Sequence, residues 1–214
     1  MSNDINVAIN FAMQKCWDEN VGYSQTTRYL NPNVDCSALV YYALQAGGFS
    51  VPAFPWYTGN MMSYLRDMGF TEYTYTSGFQ LQHGDICVHR EGSAETGRGH
   101  ACMIAENVTA YTANSRNYPY STMEGYPSTT GTVAMAKVEA ISTRGHPENG
   151  DQANNMGAHT EVYVHLFEGL SSSYTWHIFR WGGQPGPTPP RPDLPIWQMF
   201  KMTKREEDEK RRYI

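Results

Sequence analysis

The sequence is poor in the aliphatic residues that usually fill a protein core, and it contains no long hydrophobic run. Leu, Ile, Val and Phe together make up about 16% of its 214 residues. No apolar stretch approaches the roughly 20 residues that a membrane-spanning helix needs. The first residues are acidic and polar and lack the basic-then-apolar order of a signal peptide. We therefore expect a protein made in the cytoplasm, without an export signal and without a membrane span.

A low aliphatic content is typical of disorder only when the net charge is high, and the formal net charge here is only −5. The 15 Tyr, 8 Phe, 5 Trp and 11 Met can fill a core in place of aliphatic side chains. The sequence therefore predicts a folded domain of ordinary size with an aromatic core. A pI near 5.8 argues against nucleic acid as a partner.

The four cysteines, Cys16, Cys36, Cys87 and Cys102, include no Cys-x-x-Cys pair, which excludes a zinc ribbon or a thioredoxin motif. The spacings of Cys and His match no zinc site, so we expect neither a metal nor a cofactor. Structural disulfides are rare in a reducing compartment, so each cysteine is either a small core residue or a reactive thiol. Cys16 and Cys87 are interpreted as packing residues.

Helical periodicity comes first along the chain and strand-like patterns follow, which predicts an α+β domain. The predicted helices cover residues 3 to 19, 36 to 46 and 59 to 68. The predicted strands cover residues 72 to 75, 85 to 89, 101 to 105, 109 to 113, 132 to 137, 161 to 167 and 174 to 181.

Composition divides the chain into a domain at residues 1–182, a Pro-rich linker at 183–195 and a tail at 196–214. The tail joins a short apolar patch to a charged stretch. It is interpreted either as a solvated, partly helical tail or as a docking segment for another copy, a virion component or a cell wall. Residues 115–173 are interpreted as an insertion, either a lobe over the cleft or a decorated edge of the sheet.

Cys36 is the cysteine whose local setting favours reactivity. It begins a predicted helix, directly after Asp35 and before Ser37. The unpaired amides and the dipole of a helix N-terminus favour the thiolate, which is the nucleophilic form. Asp35 is interpreted as a helix cap without a chemical role.

A thiol nucleophile needs a base, and His100 is the leading candidate among seven histidines. It follows a glycine-containing loop and opens an apolar strand, so it can face a cleft. His83 and His89 are the alternatives. The other four histidines are interpreted as surface or core residues.

Several short motifs resemble those of the NlpC/P60 and CHAP cysteine peptidases. Asp-Cys-Ser-Ala-Leu-Val at residues 35–40 is similar to their nucleophile motif, in which Gly usually takes the place of Ala38. Gly-Asp-Ile at residues 84–86 and Gly-His at residues 99–100 follow in the order of that clan. Val-Gly-Tyr-Ser at residues 21–24, the segment 41–44 and a Met-rich third helix resemble the bacteriophage peptidoglycan amidases (N-acetylmuramoyl-L-alanine amidases of the Pal-like type) more closely.

The resemblance implies a papain-like NlpC/P60 fold in which N-terminal helices pack on an antiparallel sheet. Cys36 would attack an amide carbonyl, His100 would transfer protons, and Asn114 would orient the imidazole. The oxyanion hole would use the backbone N–H of Cys36 and the hydroxyl of Tyr23. Ser37 is assigned, beside Tyr23, to oxyanion or substrate contacts.

The implied function is a peptidoglycan hydrolase, either a phage endolysin or a virion-associated lysin. It would cut the bond between N-acetylmuramic acid and L-alanine in bacterial peptidoglycan. It would be made in the host cytoplasm and would reach the wall through a holin pore or on the virion. The alternatives are an endopeptidase acting within the stem peptide, a non-catalytic wall- or virion-binding module, and a transferase or deamidase on the same scaffold.

Overall fold

A computed structural model describes residues 3–17, 21–30, 33–54, 56–90, 99–111, 130–141, 161–167 and 169–182. This part of the chain has an α+β fold, as the sequence predicts, with helices first and an antiparallel sheet after them. The helices are α1 (Ile5–Trp17), α2 (Cys36–Ala46) and α3 (Thr58–Asp67). The strands are β1 (Phe70–Thr74), β2 (Ile86–Arg90), β3 (Gly99–Tyr111), β4 (Thr130–Ile141), β5 (Glu161–Leu166) and β6 (Trp176–Trp181).

The six strands form one sheet in the order β1-β6-β2-β3-β4-β5, and every neighbouring pair is antiparallel. The last strand, β6, therefore lies between β1 and β2. The register places His89 of β2 opposite His100 of β3, and Cys102 of β3 opposite Glu139 of β4. Three strands thus bring histidines and a carboxylate to one region of the sheet.

Side chains of β3 alternate between two apolar clusters, as expected for a strand buried on both faces. Ala101, Met103 and Ala105 belong to the main core, which also contains the apolar faces of the three helices. Cys102 and Ile104 belong to a smaller cluster on the opposite face, together with Cys87, Leu81, Trp176 and Ile178. The packing interpretation of Cys16 and Cys87 is confirmed, since both are buried and neither forms a disulfide.

Close contacts with neighbouring atoms require glycine at two positions of the sequence motifs, Gly84 and Gly99. Gly84 has a φ of +88°, and a Cβ there would lie 2.7 Å from Cγ1 of Ile5. A Cβ on Gly99 would lie 2.5 Å from Oγ1 of Thr58 and 2.8 Å from the carbonyl oxygen of His89. The absence of a side chain at Gly99 therefore allows the start of α3 to pack against the start of β3, directly beside His100.

Most predicted elements agree with the structure to within about two residues at each end, and two predictions differ by more. Residues 101–105 and 109–113 were predicted as two strands, but a single strand, β3, runs from Gly99 to Tyr111. The predicted strand 132–137 is longer than expected and extends through residue 141. The proposed linker 183–195, the tail 196–214, Asn114 and much of the segment 115–173 lie outside the described residues. No helix in the described ranges has the length and apolarity to cross a membrane.

Candidate functional site: Cys36, His100 and Glu139

The N-terminus of α2 is fixed by a buried carboxylate. Asp35 has extended backbone angles, and its Oδ1 accepts a hydrogen bond of 2.7 Å from the backbone N–H of Ala38. The prediction that Asp35 caps the helix is therefore confirmed. Cys36 is the first residue of this helix, and its side chain is largely buried, with the residue 8% exposed. The cap holds the thiol at the electropositive end of α2.

Arg28 ties the preceding loop to this cap. Its guanidinium forms an ion pair with Oδ2 of Asp35 and donates to Oγ of Ser37 at 3.2 Å. The Ser37 hydroxyl in turn donates to Oδ1 of Asp35 at 2.9 Å. Burial raises the pKa of Asp35, while Arg28 and the N–H and O–H donors act in the opposite direction. The hydroxyl of Ser37 is thus held inside the helix terminus, and its predicted contact with substrate stays a prediction.

His100 joins the thiol of Cys36 to a carboxylate. Its Nε2 lies 2.7 Å from Oε2 of Glu139, and the thiol of Cys36 is a second hydrogen-bond partner of the ring. Because Nε2 meets Glu139, Nδ1 is the nitrogen left for the thiol. Burial alone would lower the pKa of His100, but the two acidic partners outweigh it and raise the pKa well above its usual value. The imidazolium form is therefore stabilised between two groups that can be negative.

Glu139 is a candidate site residue that the sequence analysis did not identify. It lies on β4, only 2% exposed, and its second oxygen, Oε1, is 3.5 Å from Nζ of Lys137. Lys137 and Glu139 are the two charged residues of a strand that is otherwise apolar or small, Thr130–Ile141. A charged pair at alternate positions of such a strand was the available signal. Asn114, which was predicted to orient the imidazole, lies outside the described residues.

Tyr23 is positioned next to Cys36 by a short parallel bridge. Tyr23 pairs with Val34, and the N–H of Val34 donates to the carbonyl of Gly22 at 3.0 Å. The Tyr23 side chain is buried, and burial raises its pKa, with the nearby Cys36 and Asp35 adding to the effect. The phenol thus keeps its proton and stays a hydrogen-bond donor beside the thiol.

The two alternative histidines have other environments. His83 exchanges hydrogen bonds with Glu106: the N–H of Glu106 donates to its Nδ1 at 3.1 Å, and its own N–H donates to Oε1 of Glu106 at 3.0 Å. Burial lowers the pKa of His83. His89 is stacked on Tyr174 at a ring distance of 4.1 Å, and burial and the nearby His100 lower its pKa to about 4. Among the described histidines, His100 is thus the one that the Cys36 thiol contacts.

The described residues contain no group of three or more His, Cys, Asp or Glu side chains that could hold a metal ion. The chemistry that Cys36, His100 and Glu139 can perform needs only a thiolate, a proton carrier and a carboxylate. A thiolate attacks an electrophilic carbon, the imidazole transfers the proton, and the carboxylate stabilises and orients the imidazolium. This arrangement is suited to acyl transfer at an amide or ester carbonyl.

Comparison with known proteins gives one family match. The family model described as bacteriophage peptidoglycan hydrolase matches residues 4–124, which is more than half of the chain. The matched segment contains the three helices, Tyr23, Cys36 and His100, and ends before β4 and Glu139. A search of curated proteins finds no matching relative.

Proposed function

This chain belongs to the bacteriophage peptidoglycan hydrolase family, and we propose that it cleaves the amide between N-acetylmuramic acid and L-alanine with Cys36 as its nucleophile. The observation that carries the mechanism is the row of contacts from the Cys36 thiol through His100 to Glu139, with 2.7 Å between Nε2 of His100 and Oε2 of Glu139. The resemblance to the bacteriophage amidases supports the choice of bond. The order of the motifs supports a relation to the NlpC/P60 and CHAP peptidases.

In the first half of the reaction, the proton of the Cys36 thiol moves to Nδ1 of His100, and the thiolate attacks the carbonyl carbon of the lactyl amide. The tetrahedral intermediate collapses when the imidazolium gives its proton to the leaving amine of L-alanine. The stem peptide leaves with a free amine, and the acyl group remains on Cys36 as a thioester.

In the second half, His100 removes a proton from water, and the resulting hydroxide attacks the thioester carbonyl. The thiolate leaves and recovers its proton, and the carboxylate of N-acetylmuramic acid is released. The same imidazole therefore serves as acid in one half and base in the other. Its raised pKa favours the imidazolium, which is the form needed to protonate the amine.

We assign stabilisation of the oxyanion to the backbone N–H of Cys36 and the hydroxyl of Tyr23. The N–H belongs to the first turn of α2, where backbone donors have no partner within the helix. The raised pKa of Tyr23 keeps its hydroxyl protonated at neutral pH, so it can donate to the developing negative charge. Glu139 takes the orienting role by accepting from Nε2 of His100.

The test is mass spectrometry of products from purified peptidoglycan, with wild type, Cys36→Ala and Cys16→Ala compared. Cys16→Ala is the matched control because it makes the same change at a cysteine buried in α1. We expect wild type and Cys16→Ala to release intact stem peptides with a free L-alanine amine, and Cys36→Ala to release none.

The other outcomes separate the remaining interpretations. Shortened peptides with a new amine inside the stem would replace the amidase assignment by an endopeptidase that uses the same thiol. Hydrolysis by Cys36→Ala at the wild-type rate would refute the thiol mechanism. If folded wild-type protein released no product from several wall types, the activity itself would be disproved, and a wall-binding module would be the better account.

A further inference from the structure

The two carboxylate oxygens of Glu139 contact two different basic residues, His100 and Lys137. Oε2 contacts Nε2 of His100 at 2.7 Å, and Oε1 contacts Nζ of Lys137 at 3.5 Å. The Glu139 side chain is 2% exposed, and the Lys137 side chain is 15% exposed. Lys137 is two residues before Glu139 on β4, so both side chains lie on the same face of the strand.

A carboxylate as buried as Glu139 tends to be protonated unless positive groups or hydrogen bonds compensate for its lost hydration. His100 does not fully meet this need, because the reaction requires the imidazole to lose its charge in each cycle. When His100 is neutral, Lys137 is the remaining cation of the row. A permanent positive charge at Oε1 would help to keep the carboxylate ionised throughout turnover.

We propose that Lys137 is a positioning residue that keeps Glu139 ionised and aligned on His100. This role rests on the proposed function, since it acts through the residue that orients the catalytic imidazole. Burial alone would lower the pKa of Lys137, but attraction to Glu139, to which Cys102 and Cys87 add, outweighs burial and raises the pKa, so the ammonium group stays charged. Thiolate, imidazolium, carboxylate and ammonium then alternate in sign from Cys36 to Lys137.

The other groups around Lys137 do not replace Glu139 as its partner. Cys102 of β3 and Cys87 of β2 are near Lys137, and both are fully buried thiols. Burial raises the pKa of Cys87, and its contact with Cys102 adds to the effect, so Cys87 stays neutral. On the other side, His165 of β5 occupies the register position opposite Lys137. Among the side chains that the structure describes, Glu139 is the carboxylate that Lys137 contacts.

The variant that tests the role is Lys137→Met, which keeps most of the length of the side chain and removes its charge. Loss of the cation removes the attraction that favours the ionised carboxylate at Oε1, and protonation of this carboxylate deprives the imidazolium of its partner. In a plot of kcat against pH, the acid limb of Lys137→Met should lie at higher pH than that of the wild type, by about one unit or more. Lys137→Arg should restore the wild-type limb because guanidinium keeps the charge. Lys15→Met, on the surface of α1, is the matched control and should leave the profile unchanged.

A second readout does not depend on peptidoglycan. The rate at which iodoacetamide alkylates Cys36 follows the thiolate, and its pH dependence should shift in the same direction in Lys137→Met. Suppose that iodoacetamide alkylates Cys36 of the wild type at a rate that rises with the thiolate, but the wild type hydrolyses no peptidoglycan. The proposed function then fails, and the alkylation profile of Lys137→Met still tests the role of Lys137. Suppose instead that the wild type hydrolyses peptidoglycan with Cys36 as nucleophile, and that Lys137→Met shifts neither the pH profile of kcat nor that of Cys36 alkylation. The role of Lys137 is then disproved and the proposed function stands.

A double variant covers the case in which Lys137→Met does not fold. Lys137→Met with Glu139→Gln leaves no buried unpaired charge, so its folding does not need the cation. Because Lys137 acts through Glu139, this double variant should have the same profile as Glu139→Gln alone. A further shift beyond Glu139→Gln would overturn the proposal, as would a Lys137→Arg variant that behaves like Lys137→Met.

Discussion

Cys36 differs from the other three cysteines in both position and exposure. It is 8% exposed at a helix N-terminus, whereas Cys16 is 1% exposed and Cys87 and Cys102 are fully buried. Because access and thiolate character control alkylation, a limiting amount of iodoacetamide should label Cys36 first and abolish hydrolysis in proportion to labelling. Peptide mapping by mass spectrometry gives the site. Faster labelling of any of the other three would contradict the assignment of the nucleophile.

The orienting residue can be tested by comparing two variants. Glu139→Gln keeps the shape of the side chain but removes its charge, so it should lower kcat on the order of 10²-fold. Asn114→Ala tests the residue that the sequence predicted for this role. If Glu139 orients the imidazole, Asn114→Ala should have the smaller effect on kcat. Equal activity of Glu139→Gln and wild type would remove Glu139 from the mechanism.

His89 reports on how well the aromatic stack beside His100 excludes water. Its pKa of about 4 results mainly from burial, with His100 adding to the effect, and Tyr174 and Trp176 are the rings packed on it. Tyr174→Ala should admit water and raise the pKa of His89 toward about 6.5, which NMR titration of the imidazole measures directly. Tyr73→Ala is the matched control, since both tyrosines are 39% exposed and Tyr73 packs elsewhere, on Phe79.

The same shift has a consequence for stability, with a definite sign. Because the folded pKa of His89 lies below the value near 6.5 expected for the unfolded chain, the unfolded state binds more protons between about pH 6.5 and 4. His89 therefore lowers the free energy of unfolding as the pH falls through this window. In Tyr174→Ala this acid-dependent loss should be smaller than in Tyr73→Ala. An equal loss in both variants would contradict burial by Tyr174 as the cause.

The sequence could predict Cys36 and His100 because each lies in a short local motif. Asp35 and Gly99 are also local signals, one as a helix cap and the other as the close contact with Thr58. Glu139 has a weaker local signal, since it is one of two charged residues in the sequence of β4. It is 39 residues after His100, and the two side chains meet only because β3 and β4 pair in a particular register. Long-range strand pairing is not encoded in a local pattern, so the contact of Glu139 with His100 could be found only in the tertiary structure.

At the scale of the elements, helix limits were more predictable than strand limits. The bounds of α2 follow from two local signals, the N-cap Asp35 that starts the helix and Gly47 that ends it. The sequence predicts two strands where the structure has the single strand β3, and the polar residues Glu106 and Asn107 lie in the gap between them. In the structure Asn107 has a positive φ of 49°, yet strand pairing continues on both sides of it. Pairing with β4 therefore overrides the local turn signal.

The Gly84-Asp85 motif has a structural role at the entrance to β2. Asp85 is fully buried, and its two oxygens each accept a hydrogen bond of 2.7 Å from the guanidinium of Arg180 on β6. Its Oδ2 also accepts from the N–H of Gln82 at 2.8 Å. Arg180 lies over the rings of Tyr73 and Phe79. The motif thus connects the turn before β2 to the last strand of the sheet.

Asp85→Asn should therefore destabilise the fold without touching the reacting groups. The substitution removes the charge of a fully buried carboxylate and leaves the partly buried Arg180 without it, so the free energy of unfolding should fall by about 3 kcal/mol. Glu72→Gln is the matched control, because Glu72 pairs with Arg66 at 2.5 Å but both side chains are partly exposed, so the loss should be about 1 kcal/mol or less. Urea denaturation measures both values. Equal losses would show that the Asp85–Arg180 pair contributes no more to stability than the Arg66–Glu72 pair does.

At the scale of the whole molecule, the order of strands along the chain differs from their order in the sheet. β6 is the last described strand, yet it lies between β1 and β2 and pairs with both. Phe179 of β6 belongs to the main core, and Ile178 to the smaller cluster on the other face. The sheet and both apolar clusters therefore need the chain as far as Trp181.

This topology makes the proposed domain boundary testable with two truncated chains. A chain ending at residue 182 keeps β6 and should unfold cooperatively and hydrolyse soluble peptidoglycan fragments at the wild-type rate. A chain ending at residue 173 lacks β6, leaves Phe70 and Ile86 without their strand partners, and should not fold. Circular dichroism and thermal denaturation compare the two.

If residues 196–214 are a docking segment, the chain ending at residue 182 should also bind intact cell walls, or virions, less than the full chain does. Loss of folding in the chain ending at residue 182 would place the segment 183–214 within the domain.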